Sequence, residues 1–385
     1  MSHYYRLGTI PPKRHTQFRK PDGSLYQEEL VSTEGFSNNY SLIYHSNPPT
    51  AASKYHEPFS VAPPVVETEH CRPRAFMGFN HEPTDDFLKG RKPMMVNNDC
   101  EITICAPRKS MTDYFYKNSS ADELIFVHEG EGKFLSIFGE LEFKYGDYIM
   151  VPRGTIYQLE FKTEQNRLLI VESFGPYTYP KNYLSKYGQL LEHAPFCERD
   201  IIPPSNLKTY DEKGDFLVYI KKNQRMYPTT YAYHPFDAIG WDGCHYPYIF
   251  SIHNFEPITG RVHLPPPIHQ TFDGKNFVVC SFCPRKYDYH PLSIPAPYHH
   301  ANVDSDEVLY YVDGDFMSRN HVEKGMFSLH PIGIPHGPHP GAIERSLGKE
   351  KTDELAVMVD TFYPLQITQF ALDVEWSEYA YSWIH

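Results

Sequence analysis

Two blocks of this chain recur in the same order, and that recurrence restricts the fold more than any other feature. The first, YKNSSADELIFVHEGEGKF from Tyr116, returns as HANVDSDEVLYYVDGDF from His300: Asn118, Asp122, Glu123 and Gly130 match Asn302, Asp306, Glu307 and Gly314, each 184 residues later. In the second, GDYIMVPRGTIY returns as GMFSLHPIGIPH: Gly146, Pro152, Gly154 and Tyr157 match Gly325, Pro331, Gly333 and His336, each 179 residues later. Order and spacing kept together imply one duplicated unit, with the link between blocks five residues (184 less 179) shorter in the second copy.

The unit reads as β structure. Short apolar runs such as EITICAP, ELIFVHEG, KFLSIFG, DYIMVP and NRLLIVES in the first half, and YIFSIHNF, FVVCSFCP, EVLYYVDG and ELAVMVDTFY in the second, sit between Gly and Pro punctuation. The 34 Pro and 23 Gly argue for frequent turns and few long helices, while 30 Tyr and 25 Phe supply a large apolar core. A length of 385 residues exceeds what one core accommodates. The expected division is 1–99 as an N-terminal arm with edge strands, 100–230 as a first β domain with a linker, and 231–385 as a second β domain. The stretch 183–230, with NYLSKYGQLLEH and a Pro-rich turn, reads as a connection of weak helical and loop character.

A formal charge of -12 disfavours nucleic acid and anionic membrane as partners, and a small-molecule substrate fits better. No run approaches the roughly 18 apolar residues of a membrane span, and the segment MSHYYRLGTIPPKRH lacks a signal-peptide core, so the expectation is a cytoplasmic protein. Seven cysteines without framework spacing suit a reducing compartment, and the lone CxxC of Cys280 and Cys283 lies inside a strand-like run.

The chemistry concentrates in the second copy. It offers His300, Glu307 and His336, two imidazoles and a carboxylate, the ligand set of a facial triad that holds Fe(II) with positions left open. The first copy has Tyr116, Glu123 and Tyr157 in those places, and is expected to bind no metal. The His, Glu, Gly and then Gly, Pro, Gly, His pattern resembles the two cupin motifs. That resemblance implies a jelly-roll barrel for each half: an all-β, duplicated cupin, or bicupin, with an N-terminal arm. Cupins usually carry an HxH pair before the glutamate, whereas this chain has His299 and His300 side by side, so one ligand is missing and His299 competes with His300 for the role.

RVHLPPPIHQTF, FVVCSFCPRK, APYHHANVDSDE and SLHPIGIPHGPH, in that order, resemble the homogentisate 1,2-dioxygenase family, and IPPKRHTQFR with EGFSNNYSLIYH resembles its shorter bacterial branch. The resemblance implies iron ligands at His300, Glu307 and His336. It implies a substrate-hydroxyl acid/base at His263, with His269 as the competing placement, and a pocket residue at His330. Two departures bear on the substrate. Glu307 lies seven positions after His300 where the family pattern has six, and Phe316 stands where the family has a substrate-contacting tyrosine. Tyr298, Arg285, Arg319 and Arg345 are candidates for the substrate carboxylate by position.

The resemblance therefore implies an Fe(II)-dependent ring-cleaving dioxygenase that converts homogentisate and O2 to maleylacetoacetate, in tyrosine and phenylalanine breakdown. The competing readings are a dioxygenase for gentisate or another hydroxylated aromatic acid, a metal-dependent isomerase on the same double barrel, and a non-catalytic bicupin that binds a ligand. Family relatives assemble as trimers or hexamers, which implies a homo-oligomer.

Overall fold

The computed structural model describes residues 3–384. They form an all-β protein built as a duplicated jelly roll. Its longest α-helix among the described residues, Ala342–Ser346, has five residues.

The duplication is visible strand by strand. In the first copy the strand Asp122–Glu129 lies between Asp147–Val151 and Arg167–Ser173, with Cys100–Cys105 next in the sheet. In the second, Asp306–Asp313 lies between Met326–His330 and Leu355–Thr361, with Phe277–Phe282 next. The repeated residues have the same jobs in both. Asp122 accepts hydrogen bonds from the backbone N–H of Arg153 and Tyr177, and Asp306 accepts them from Ile332 and Leu365. Likewise Gly154 donates to the Asn118 carbonyl and Gly333 to that of Asn302, both at 2.7 Å. Gly154 and Gly333 have φ of +88° and +73°, a conformation glycine adopts without strain. The repeat thus preserves the backbone locks of a turn.

Each sheet is completed by a strand that belongs, by sequence order, to the other copy. Arg74–Met77, ahead of the first copy, pairs with Met326–His330 of the second. Tyr248–Ser251, ahead of the second copy, pairs with Asp147–Val151 of the first. The two barrels are therefore clasped by exchanged edge strands.

Alternation explains the packing. Along Asp122–Glu129, Leu124 and Phe126 face a core shared by both copies, with Tyr148, Phe272 and Phe327, while Ile125 and Val127 face the first barrel's interior. Both faces are buried, so the strand reads as a continuous apolar run rather than an alternating one. Polar contacts cross the shared core: His128 Nδ1 lies 2.6 Å from the Tyr310 hydroxyl, and the Tyr148 hydroxyl 2.9 Å from Ser281 Oγ.

The stretch 183–230 differs from its expected helix and loop character. After 3-10 turns at Lys181–Tyr183 and Glu198–Asp200, the chain forms a long hairpin, Lys213–Lys222 with Arg225–Tyr233. Its two-residue turn is Asn223 and Gln224, both with positive φ, which matches the right-handed twist of the strands. The Lys213–Lys222 strand pairs in parallel with Phe115–Asn118 and extends the first barrel's second sheet. In the second barrel the corresponding wall is thin. It holds the bridge between His300 and His336 and the short pair Arg285–Lys286 with Lys351–Thr352, the rest being loops.

Candidate metal centre

The thin wall is where the second copy's histidines meet. His300 and His336 exchange two backbone hydrogen bonds, each 2.8 Å, which hold their side chains on neighbouring positions. Glu307, on the Asp306–Asp313 strand of the opposite sheet, points between them. Its Oε2 lies 3.5 Å from His300 Nε2 and 3.4 Å from His336 Nε2, and the three ligand atoms all fall within 4.8 Å of one another. Adjacent ligands about 2.1 Å from a six-coordinate centre would sit about 3 Å apart, so the trio matches one face of such a centre.

The hydrogen bonds around the rings favour a cation between them. His336 Nδ1 lies 3.0 Å from the Ile334 carbonyl and His300 Nδ1 lies 3.2 Å from the Tyr298 carbonyl. A carbonyl only accepts, so each Nδ1 carries a proton and each neutral ring turns its Nε2 lone pair towards Glu307. Two lone pairs aimed at a carboxylate oxygen repel it unless a proton or a metal ion intervenes. His336 Nε2 is buried and has no hydrogen-bond partner among the described residues. These residues fit a divalent metal, with the side chain of His300, 28% exposed against 1% for His336, marking the open side.

Behind the carboxylate the site is dry and fixed. His330, wholly buried, places Nδ1 3.0 Å from Glu307 Oε1 and Nε2 3.1 Å from the Tyr379 hydroxyl, and its ring stacks 4.3 Å from that of His336. Burial alone would raise the Glu307 pKa, but the His300, His330 and His336 rings that face it hold it well below the carboxylate range in the metal-free site. Hydrogen bonding to Glu307 conversely raises His300, whereas burial drives His330 down to about 4. Asp360, the cross-strand neighbour of Glu307, is pushed well up by burial and by the Glu307 charge.

The first copy places its own residues in the same frame. Tyr116 pairs with Tyr157 as His300 does with His336, and the Tyr157 hydroxyl donates to Glu123 Oε2 at 2.9 Å. The positive charge there is covalently supplied: the Arg91 guanidinium lies 2.8 Å from Glu123 and 2.6 Å from Glu172, the counterpart of Asp360. Lys221 bonds Glu172 at 2.6 Å from the other side.

Comparison with known proteins places the chain among dioxygenases. Residues 66–252 match the family model described as Homogentisate 1,2-dioxygenase N-terminal. A "Putative dioxygenase" of Saccharolobus solfataricus is 40% identical over all of this chain and 99% of its own length. Homogentisate 1,2-dioxygenase of Nitrobacter hamburgensis is 25% identical, covering 98% of this chain and 90% of its own. That of Bradyrhizobium diazoefficiens is also 25% identical, over 71% of this chain and 64% of its own. The chain belongs to the homogentisate 1,2-dioxygenase family. Among solved structures, a cupin 2 conserved barrel domain protein from Leptotrichia buccalis is 12% identical with a TM-score of 0.34, over 77% of this chain and 99% of that one.

In this homogentisate dioxygenase relative, the other sequence candidates fall in distinct places. Tyr298, 55% exposed, stands on the open side between His263 and His300, with ring centres 5.0 and 6.2 Å away. His263 has Nδ1 3.6 Å from the carboxylate of Asp288, which is largely buried. His269 is buried, stacked 4.4 Å from Phe282, with Nδ1 unpartnered and its pKa driven to about 3 by burial. Phe316 packs edge-on to Tyr311 at 4.7 Å, among Trp376 and Trp383. His299 turns away: its ring fills the space a side chain at Gly337 would need, while His300 faces Glu307. The sequence reading missed Tyr379, whose only signal is its place in the aromatic C-terminal run WSEYAYSWIH.

Proposed function

We propose that this protein is an Fe(II)-dependent ring-cleaving dioxygenase that converts homogentisate and O2 to maleylacetoacetate, with His300, Glu307 and His336 as the ligands. The observation that carries the reading is the convergence of two Nε2 lone pairs and one carboxylate on a common point, open on the His300 side. A ferrous ion held there would supply the one-electron chemistry that O2 addition to an aromatic ring requires, with positions free for both reactants. The reaction balances without a further reductant, since both oxygen atoms of O2 enter the product as the ring opens.

The chain's own residues bind, orient and move protons. His263, on the open side, takes the phenolic proton of the substrate, imidazole being suited to proton exchange near neutral pH. Asp288, 3.6 Å from its Nδ1, orients the ring. Tyr298, between His263 and His300, forms the wall against which the aromatic ring lies. His330 and Tyr379 keep the Glu307 carboxylate in one orientation and exclude water behind it. The exposed apolar side chains Leu292, Ile294 and Val303 suit burial by a further copy, in a homo-oligomer.

Phe316 in the place of a family tyrosine supports a second reading, in which the acid is gentisate or another hydroxylated aromatic acid. Oxygen uptake by Fe(II)-loaded protein separates the two when homogentisate, gentisate and 3,4-dihydroxyphenylacetate are supplied in turn, with His336→Ala as control. Uptake with homogentisate alone, abolished in the variant, is the expected result; uptake with another acid alone would replace the substrate, and uptake undiminished in His336→Ala would remove the site.

A further inference from the structure

A cavity of about 800 Å³ lies between the N-terminal arm and the first barrel. Its walls come from the arm strand Gln27–Ser32 and the loop after it, the barrel strand Phe115–Asn118, the turn at Pro152 to Gly154, and the stretch 231–248. That volume is typical of a small-molecule site. No lining residue lies beyond Tyr248, so the cavity is separate from the centre formed by His300, Glu307 and His336. Two cations border it, and the repeat shows them to be peculiar to this copy. At the 184-residue offset Lys117 corresponds to Ala301, and at the 179-residue offset Arg153 corresponds to Ile332. The residues around them keep the fold, since Tyr116 and Asn118 turn into the barrel interior and Gly154 closes the turn. Lys117, between Tyr116 and Asn118 on an alternating strand, therefore faces outwards beneath the arm.

The buried acids of the cavity are already answered, and Lys117 is not. Asp122 accepts from Arg153 Nε at 2.8 Å and from the backbone N–H of Arg153 and Tyr177. His45 lies 2.7 Å from Asp237 and 2.8 Å from Glu29, and the second oxygen of Asp237 accepts from the Asn47 amide. Lys117 has neither ion pair nor hydrogen bond among the described residues, although the charge of Glu29 reaches it. Burial pushes its pKa below the usual lysine value, the response of an ammonium drawn out of water without a partner. Lys221, on the neighbouring parallel strand, has by contrast Glu172 at 2.6 Å and Glu101 at 3.3 Å. Facing Lys117 across the cavity wall are rings and aliphatic groups, among them Phe36, Phe138, Met150, Tyr177 and Tyr233. An unfilled cationic donor beside such walls selects a ligand with one anionic group and an apolar body.

We propose that this cavity binds a small organic monocarboxylate, its charged group on Lys117 within the field of Arg153 and its apolar body against Phe138 and Tyr177. The copy that lacks the imidazoles then has a ligand of its own, and the bound acid ties the arm to the barrel. The proposal is independent of the dioxygenase reading, because the two sites share no residue.

Calorimetric titration of the full chain tests it. The probes are phenylacetate and hexanoate, an aromatic and an aliphatic acid, with phenylacetamide and hexanamide as their neutral counterparts and sulfate as an inorganic anion. His336→Ala is titrated beside the wild type, so that binding at the metal centre is not mistaken for binding here. The expected result is saturable binding of at least one acid to both proteins, roughly tenfold or more tighter than its amide. Lys117→Met should weaken the acid by a similar factor and leave the amide unchanged, with Lys117→Arg close to the wild type. Thermal unfolding without ligand checks that Lys117→Met is folded, and the comparison of acid with amide in His336→Ala decides the matter even if it is not. No saturable binding of either acid to His336→Ala would overturn the proposal, as would an amide that binds as well as its acid. Acid binding undiminished in a folded Lys117→Met would overturn it too. Sulfate binding as tightly as the acids and displacing them would replace the carboxylate with an inorganic anion.

Discussion

Arg91 lies 2.8 Å from Glu123, in the first-barrel counterpart of the place where Glu307 faces His300 and His336. One barrel answers its buried glutamate with a tethered cation and the other with a pair of imidazoles. Removing the tethered cation should leave Glu123 with only the Tyr157 hydroxyl, and Glu172 with Lys221 and Asn118. Arg91→Met is expected to cost about 3–5 kcal/mol of stability, seen as a large fall in the urea midpoint. Iron content of the folded fraction should remain that of the wild type, and a proportional loss of iron would contradict the separation of the two barrels.

The adjacent histidines at 299 and 300 give a clean discrimination. His300→Ala and His336→Ala should each abolish iron retention after desalting, while His299→Ala should keep it. Gly337→Ala should resemble the ligand losses more than His299→Ala does, because a methyl group there meets the His299 ring. Elemental analysis of the four proteins decides it.

His330 and Tyr379 act through Glu307. His330→Leu is expected to weaken metal affinity by roughly 10–100-fold, the usual effect of losing a residue that orients a ligand. Tyr379→Phe, which removes one hydrogen bond to His330, should cost about 1 kcal/mol of stability with little change in iron content. Chelator competition and thermal unfolding read these two effects separately.

Stability should respond to pH with opposite signs at two histidines far from the metal centre. Despite burial, hydrogen bonds from His45 to Asp237 and Glu29 raise its pKa from 6.5 to about 9. The folded state thus holds the proton more tightly, so this contribution, of order 2–3 kcal/mol, is complete below pH 6.5 and lost as pH rises through about 9. Burial lowers His128 to about 4, so its neutral form favours folding above pH 6.5 and that support is lost as pH falls towards 4. Urea titrations at pH 5, 6.5 and 9.5 should show His45→Gln flattening the alkaline limb and leaving the acid limb. An unchanged alkaline slope in that variant would refute the assignment.

Much of this was readable in the chain, for reasons that can be named. The repeat survives because Asp122 and Asp306, and Asn118 and Asn302, tie the same turns, and few side chains can accept from two backbone amides at once. The grouping of His300, Glu307 and His336 was legible because the missing imidazoles of the first copy provided an internal contrast. His330 was visible as part of SLH, but its partnership with Glu307 came from cross-strand register, which spacing does not reveal. Arg91 carries no local pattern at all, since its partners are 32 and 81 residues away. The hairpin of Lys213–Lys222 with Arg225–Tyr233 was obscured by Asn-Gln at its turn, where glycine is the usual signal.

The exchanged edge strands set an order of events during synthesis. The first barrel's sheet waits for Tyr248–Ser251, and Arg74–Met77 has no partner until Met326–His330 has left the ribosome. At about 5–20 residues per second, the earlier strand stays unpaired for roughly 10–50 s, with its amides available to any neighbouring nascent chain. Neither half of the gene encodes a unit that can close by itself, so production of this protein should depend on chaperone supply more than its final stability would suggest.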